Sequence, residues 1–388
     1  MFRRNVQSRQ QAVLLLGSYG RGNSGDDVFL HAALHLLAGK ELYANSANDA
    51  LLPADIRAQV TTISTVSARD VLKKIMMLAK VHSIIYWGGD VWVELYGDRF
   101  PRKSLYKMIV VNLLARLLGK RVYYVGCGIG ALRGWSLWLA RCSARLAQGI
   151  VLRERRSAMV LGLRQARVLP DLACALPYYR QRPLRTPGKT LTIGISLLYY
   201  VPNPKTNFPK IVQQLADELS RLPRSRYAFV LLPMLNDARD PHNDLWASQQ
   251  LQAAFVAHGI ACRIQPLPDV ESVVATAGEL DVVIGMRLHA NILATFAGTP
   301  CVGLAYRPKV ASFFADNGLS EYCLDLTELK HLPELLRRIN GQYRDVAQQF
   351  AEVSQQNLEQ KLAYEKFVAT MTESREEMAY QEPSPECE

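Results

Sequence analysis

Short apolar runs alternate with longer stretches of helical periodicity along the whole chain, the pattern of parallel sheets built from βαβ units. In the first half the runs predict strands over Ala12–Leu16, Val60–Ser64, Ser83–Trp87, Val122–Val125, Gly149–Leu152 and Arg167–Leu169. Helices are predicted after Asp26, over 68–79, 101–118 and 135–147, and after Ser157. The stretch 178–189 carries proline and glycine without periodicity and reads as a linker, placed at 181–190. A second series follows, with strands over Thr192–Ser196, Tyr227–Leu232, Cys262–Ile264, Asp281–Ile284 and Cys301–Leu304. Its helices are expected at 209–221, 244–257, 269–277, 289–297 and 309–316. A long polar C-terminal helix is expected over 331–372, and 373–388 reads as an acidic, disordered tail. The fold class is therefore α/β, with two Rossmann-like domains of parallel sheet, 1–180 and 191–330, and a cleft between them. Ligands of such sheets bind beyond the C-terminal ends of the strands, so the loops there are where chemistry is to be sought.

Composition narrows the class. With 49% apolar and 21% charged residues, the 388-residue chain is neither disordered nor fibrous. Seven cysteines without CxxC spacing indicate neither a disulfide framework nor a zinc site, and suit a reducing cytoplasm. No apolar run approaches the roughly 18 residues of a membrane span, and the basic N-terminus leads into a first strand rather than a signal peptide. The net charge of +11 is unevenly placed. Residues 99–167 hold fifteen Arg or Lys against Glu154 alone, so the rest of the chain is slightly acidic. Within that segment Trp135, Trp138, Leu139 and Cys142 recur at helical spacing beside Arg133, Arg141 and Arg145. Two readings stand: a cationic amphipathic helix at an anionic membrane surface, or core aromatics with a solvated basic edge.

Three loops carry candidate chemistry. Gly20, Gly22 and Gly25 match GxGxxG after the first strand, but Asp26 and Asp27 would stand where pyrophosphate must lie. The second strand, ending at Ser64, also lacks the acid that would hold a ribose. The alternatives are a glycine turn with acidic caps, or acceptor and acid/base work by Asn23, Asp26 and Asp27. Gly88 and Gly89 allow close approach of backbone or ligand, and Asp90 beside them would bond a sugar hydroxyl. The glycine loop Gly126–Gly130 carries the same meaning less specifically. Most informative is the strand that delivers Arg287 and His289 into a helix start, followed by Arg307 and Lys309 at the next. Guanidinium, imidazole and ammonium at helix N-termini suit phosphate and carboxylate; the alternative is structural, with His289 satisfying a buried carbonyl and Arg287 in an ion pair. His31 and His35 lack a third ligand, so no metal is expected.

Four segments in order resemble the polysaccharide pyruvyl transferase family: the loop with Asn23, Gly25, Asp26 and Asp27; Gly126–Gly130; Leu152–Ser157 followed by Leu169-Pro170-Asp171; and Met286–His289 followed by Tyr306–Val310. The resemblance implies a GT-B-like arrangement and transfer of the pyruvyl group of phosphoenolpyruvate to a sugar, forming a ketal and releasing phosphate. It makes Arg287 and His289 the donor-binding pair, with Arg307 and Lys309 beside them. It implies no cofactor beyond phosphoenolpyruvate as co-substrate, and no nucleic acid. The acceptor would be a sugar of an exopolysaccharide or of its lipid-linked precursor, met in the cytoplasm at the inner face of the plasma membrane. On this reading His289 is the acid, Asp26 or Asp27 the base, and Asn23, Gly88, Gly89 and Asp90 face the acceptor. The chain departs from the family at Asp90, where members often carry a third glycine. It departs again at Ser196–Tyr200, where many carry an arginine. A nucleotide-sugar glycosyltransferase on the same architecture and a catalytically silent, membrane-associated assembly protein are the rival readings.

Overall fold

Val13, Leu14 and Leu15 of the first apolar run lie at the centre of a parallel sheet and are buried on both of its faces. The computed structural model describes residues 12–64, 76–94, 102–163, 166–177, 188–199, 207–235, 237, 239 and 243–372. The predicted linker core at 181–187, most of the helix expected at 68–79, and the tail 373–388 lie outside them.

The first domain consists of β1 (Ala12–Leu16), α1 (Ser24–Leu36), β2 (Glu41–Ser46), α2 (Ala54–Gln59), β3 (Val60–Ser64), β4 (Ser83–Trp87), β5 (Asp90–Trp92), α3 (Lys103–Leu117), β6 (Arg121–Ile129), α4 (Trp135–Arg145), β7 (Gly149–Leu152), α5 (Arg155–Leu161) and β8 (Arg167–Val168). Its sheet runs β3-β2-β1-β4-β6-β7-β8, with β5 added on β6. The second domain has β9 (Leu191–Ser196), α6 (Phe208–Ser220), β10 (Tyr227–Leu231), α7 (Asp244–Ala257), β11 (Cys262–Ile264), α8 (Val270–Glu279), β12 (Val282–Gly285), α9 (Leu288–Phe296), β13 (Cys301–Ala305), α10 (Pro308–Asp316) and β14 (Cys323–Asp325). Its order is β11-β10-β9-β12-β13-β14. The strand order reverses between β1 and β4 in one sheet and between β9 and β12 in the other. The loops after those four strands thus flank the crevices where such sheets bind ligands.

Three strands were not predicted. β2 offers only Leu42, Tyr43 and Ala44 as an apolar run, and β5 and β14 are three residues each. β6 continues through Gly126 and Gly128 to Ile129, so the predicted glycine loop is mostly strand, with a register irregularity between Val125 and Cys127.

The expected long C-terminal helix is three: α11 (Leu332–Gly341), α12 (Tyr343–Glu359) and α13 (Lys361–Thr372). α12 packs on α9 of the second domain, where the Ser354 hydroxyl donates to Phe296 O (2.8 Å). α13 then returns to the first domain. The Tyr364 hydroxyl donates to Pro170 O (2.7 Å), Arg121 Nη1 donates to Met371 O (3.3 Å), and Phe367 meets Tyr123 edge-on. One apolar cluster accordingly runs through both domains, from Val13 and Phe29 to Leu288 and Tyr364. No helix among the described residues is long and apolar enough to cross a membrane.

Candidate functional site

The chain leaves β1 through a glycine turn and enters α1 under the cap of Asn23. Asn23 Oδ1 accepts from Gly25 N (3.2 Å), and its Nδ2 donates to Asp26 Oδ2 (2.8 Å). Its side chain is thereby spent on the helix start and on orienting Asp26, not turned to an acceptor. Ser24 donates to Met234 O of the second domain from both its N (3.1 Å) and its Oγ (3.2 Å). Gly25 faces His289 so closely that a Cβ there would overlap the imidazole. The helix N-terminus that would hold pyrophosphate in a dinucleotide fold is thus covered by the other domain. The ribose argument made from Ser64 concerned the wrong strand, since β2 is the neighbour of β1. Asp49, just past β2, accepts from Thr62 Oγ1 (2.7 Å).

His289 sits in the first turn of α9, its side chain 13% exposed, edge-on to Phe29 at 5.2 Å. Its Nε2 is buried without a hydrogen-bond partner, 3.9 Å from Asp171 Oδ2. Burial pushes the imidazole down to about 4; Asp171 opposes this, while Arg153 and Lys309 add to it. The ring is therefore neutral at pH 7. Behind it a cluster bridges the domains. Arg153 donates from Nη2 to Asp90 and from Nη1 to Asp171 Oδ2 (3.3 Å), and Lys309 Nζ donates to Asp90 Oδ2 (3.3 Å). Burial alone would raise the Asp90 carboxyl, but Lys309 and Arg153 outweigh it and hold it well below the usual range. Gly128 makes room for this, because a side chain there would run into the Arg153 guanidinium and Asp90. A cavity of about 370 Å³ adjoins the cluster, lined by Arg153, Asp171, Lys309 and Phe313 among others; His289 lies outside its wall.

Arg287, beside His289, is held by Asp244 at the start of α7, with Nε to Oδ2 at 2.8 Å and Nη2 to Oδ1 at 2.5 Å. Asp244 is fully buried and also accepts from the backbone of Met234 and Leu235. The bidentate pair leaves Arg287 Nη1 and one Nη2 hydrogen for an anion. Arg307 caps α10, exposed, with its guanidinium over Tyr306 (5.7 Å).

The two acids of α1 part company. Asp26 is half-buried, and its carboxyl is raised by burial while Asn23, Lys309 and Arg287 pull it down, which places it on the cleft side. Asp27 is buried and pushed up to about 8, by burial first, then by Asp26 and by Asp55 on α2, and no cleft cation acts on it. Gly88 is buried under the Phe29 ring, so it serves the packing behind His289 and offers no acceptor surface. Gly89 is half-buried, and Asp90 belongs to the cation cluster. Sequence reasoning missed Arg153, Asp171 and Asp244 as site residues. The first two stood inside the quoted motif segments, whereas nothing near Asp244 distinguishes it from an ordinary helix-start acid.

Comparison with known proteins decides the family. The sequence model described as "Polysaccharide pyruvyl transferase" matches residues 23–308. The chain belongs to the polysaccharide pyruvyl transferase family. No curated protein matches it in sequence. Among solved structures it is similar to HepE of Anabaena in complex with UDP and glucose, at 12% identity and a TM-score of 0.62 over 93% of this chain and 99% of that one. A glycosyltransferase of Rickettsia africae gives 10% identity and 0.61 over 96% and 99%. A putative UDP-N-acetylglucosamine 2-epimerase of Listeria monocytogenes gives 12% and 0.60 over 94% and 98%. These likenesses show the GT-B fold; membership of the family makes the protein a transferase.

Both departures from the polysaccharide pyruvyl transferase pattern have a structural reading. Asp90 clamps Arg153 and Lys309 across the domain boundary. After β9, Leu197 and Leu198 are buried and Tyr199 joins Phe208 and Trp246, with centroids 5.2 to 5.5 Å apart. At the described positions after β9, apolar and aromatic packing stands where many members carry arginine.

Proposed function

We propose that this transferase moves the pyruvyl group of phosphoenolpyruvate onto a sugar of an exopolysaccharide or of its lipid-linked precursor, forming a ketal. The observation that carries this reading is the unpartnered Nε2 of His289, in a cleft where Arg153, Arg287 and Lys309 converge from both domains. Arg287, Arg307 and Lys309 hold the donor's phosphate and carboxylate, with Arg153 completing the set where the family's arginine after β9 is absent. Each buried cation is paired with Asp90, Asp171 or Asp244, so the donor competes with carboxylates already in place.

His289 needs a proton that burial denies it. A phosphomonoester ionises a second time near pH 6, so part of the donor carries one in, and its charge raises the proton affinity of the ring. Imidazolium then protonates C3 of the donor and leaves a cation at C2. One sugar hydroxyl adds to C2, yielding its proton to Asp26, the C2–O bond to phosphorus breaks, and a second hydroxyl closes the ketal. His289, having passed the donor's proton to C3, is neutral again, and both hydroxyl protons, the first by way of Asp26, leave with the phosphate.

His289→Ala, assayed for phosphate release from phosphoenolpyruvate with an acceptor sugar, should be nearly inactive; a wild-type rate overturns the assignment. Calorimetry of donor binding in buffers of different ionisation enthalpy should show proton uptake near pH 7 that His289→Gln loses. A nucleotide-sugar glycosyltransferase is the second reading, favoured by the UDP bound in HepE. It requires that a uridine or guanosine diphosphate sugar raise the melting temperature where phosphoenolpyruvate does not. Absence of any donor binding at millimolar concentration points to the silent assembly role.

A further inference from the structure

α3 buries Leu105, Met108 and Ala115 as a surface helix does, yet its outer face is apolar as well. Asn112 points into the core, where its Oδ1 accepts from Tyr86 OH (2.9 Å) and its Nδ2 donates to Tyr124 OH (2.7 Å) and Ser143 O (3.3 Å). Tyr106, Val110, Leu113, Leu114 and Leu117 face outward at helical spacing, with Leu117 83% exposed. On the adjoining α4, Leu139 is buried as expected, but Trp135 and Trp138 stand out at 66% and 52% exposure, edge-on to each other at 5.3 Å. The exposed bases Lys103, Lys107, Arg116, Arg133 and Arg145 lie on the same two helices and their flanks, and no acidic residue occurs between positions 99 and 153. Not every base of that segment belongs to this face: Arg153 is buried in the cleft, and Arg167 stacks on Phe367.

We infer that this α3–α4 face is a docking surface for an anionic lipid bilayer. Exposed tryptophan and leucine beside lysine and arginine match the two layers of a membrane interface, apolar below and charged at the headgroups. An acidic glycan would satisfy the bases and stack on the tryptophans, but gives no reason for Val110, Leu113 and Leu117 to face water. A second copy of the chain would set one row of bases against another. The face also lies close to the cleft mouth. Ser136, next to Trp135, bonds both Arg102 Nε (3.0 Å) and Glu94, and Glu94 is four residues from Asp90, at most about 14 Å of chain. A protein seated by this face holds its cleft near acceptors that are anchored in the same bilayer.

Cosedimentation of the full chain with phosphatidylcholine vesicles, with and without phosphatidylglycerol, tests the surface without donor or acceptor, so it succeeds or fails independently of pyruvyl transfer. Binding to the anionic vesicles, weakened by salt and accompanied by a blue shift of tryptophan emission, is expected. Trp135→Ser with Trp138→Ser and Leu117→Ser should weaken partitioning at least about tenfold at an unchanged melting temperature. Lys107→Glu and Arg133→Glu should each cost about fivefold or more on anionic vesicles. Absence of cosedimentation at low salt overturns the inference, as does unchanged binding by both sets of variants. Preference for a soluble anionic polysaccharide over vesicles, or a lipid-free dimer that the tryptophan substitutions dissolve, reassigns the face and overturns it equally.

Discussion

Gly25 has no side chain, and the space one would fill is taken by the imidazole of His289 from the other domain. Gly25→Ala forces either the ring or the domain contact to move. A misplacement of about 1 Å at a reacting group costs about a hundredfold in rate, so transfer should fall steeply while the melting temperature shifts by only a few degrees. A Gly25→Ala protein with full activity would show that the ring can step aside without cost. Such a contact is only partly legible in sequence. Met286-Arg287-Leu288-His289 announces a cationic loop because the residues are consecutive, and Gly25 belongs to a quoted segment. Their meeting depends on how two domains close. The partner of Arg287 is 43 residues away in an unremarkable helix start, and Arg153 is indistinguishable from its exposed neighbours in a run of bases.

At the scale of elements, α1 carries a liability on the face turned from the cleft. The Asp27 carboxyl is pushed up to about 8 by burial, Asp26 and Asp55, whereas an unfolded chain ionises it near 4. Folding therefore disfavours an ionised group that the unfolded chain permits. The penalty is absent below about pH 4, grows as pH rises, and levels off above about 8, reaching at most about 5 kcal/mol. Asp27→Asn should melt above the wild type at pH 8, with the gap closing by about pH 4. A gap independent of pH would place the effect elsewhere. Strands with a continuous apolar run, such as β1, β4 and β10, are predictable from that run. β2 is held by parallel pairing with β1 and β3 rather than by its own composition, and no local pattern carries that information. The same holds for the C-terminal segment, whose periodicity predicts helix but not the breaks at Gln342 and Gln360 that turn α13 back toward the first domain.

Across the whole molecule, α13 adds a second fastening to the cleft contacts of Ser24 with Met234 and of Asp90 with Lys309. Tyr364 is fully buried, and its hydroxyl donates to Pro170 O in the first domain. Tyr364→Phe should cost about 1 kcal/mol, the worth of one hydrogen bond, and Tyr364→Ala about 3 to 5 through the cavity it leaves. Hydrogen exchange should rise along β6 and β7 in the alanine protein while β9 to β13 keep their protection. Unaltered exchange at β6 and β7 would mean that α13 rests on the domain without bracing it.

A fastener encoded after both domains also sets an order of events during synthesis. Both sheets are complete before residues 361–372 leave the ribosome, and domains generally fold as units while the chain is still growing. The groove that Tyr364 and Phe367 will fill, beside Tyr123, Gly149 and Pro170, therefore stands open to water and to chaperones until the last strap is delivered. A nascent chain stalled before position 361 would hold two finished domains joined only by the linker and by the contacts around the cleft.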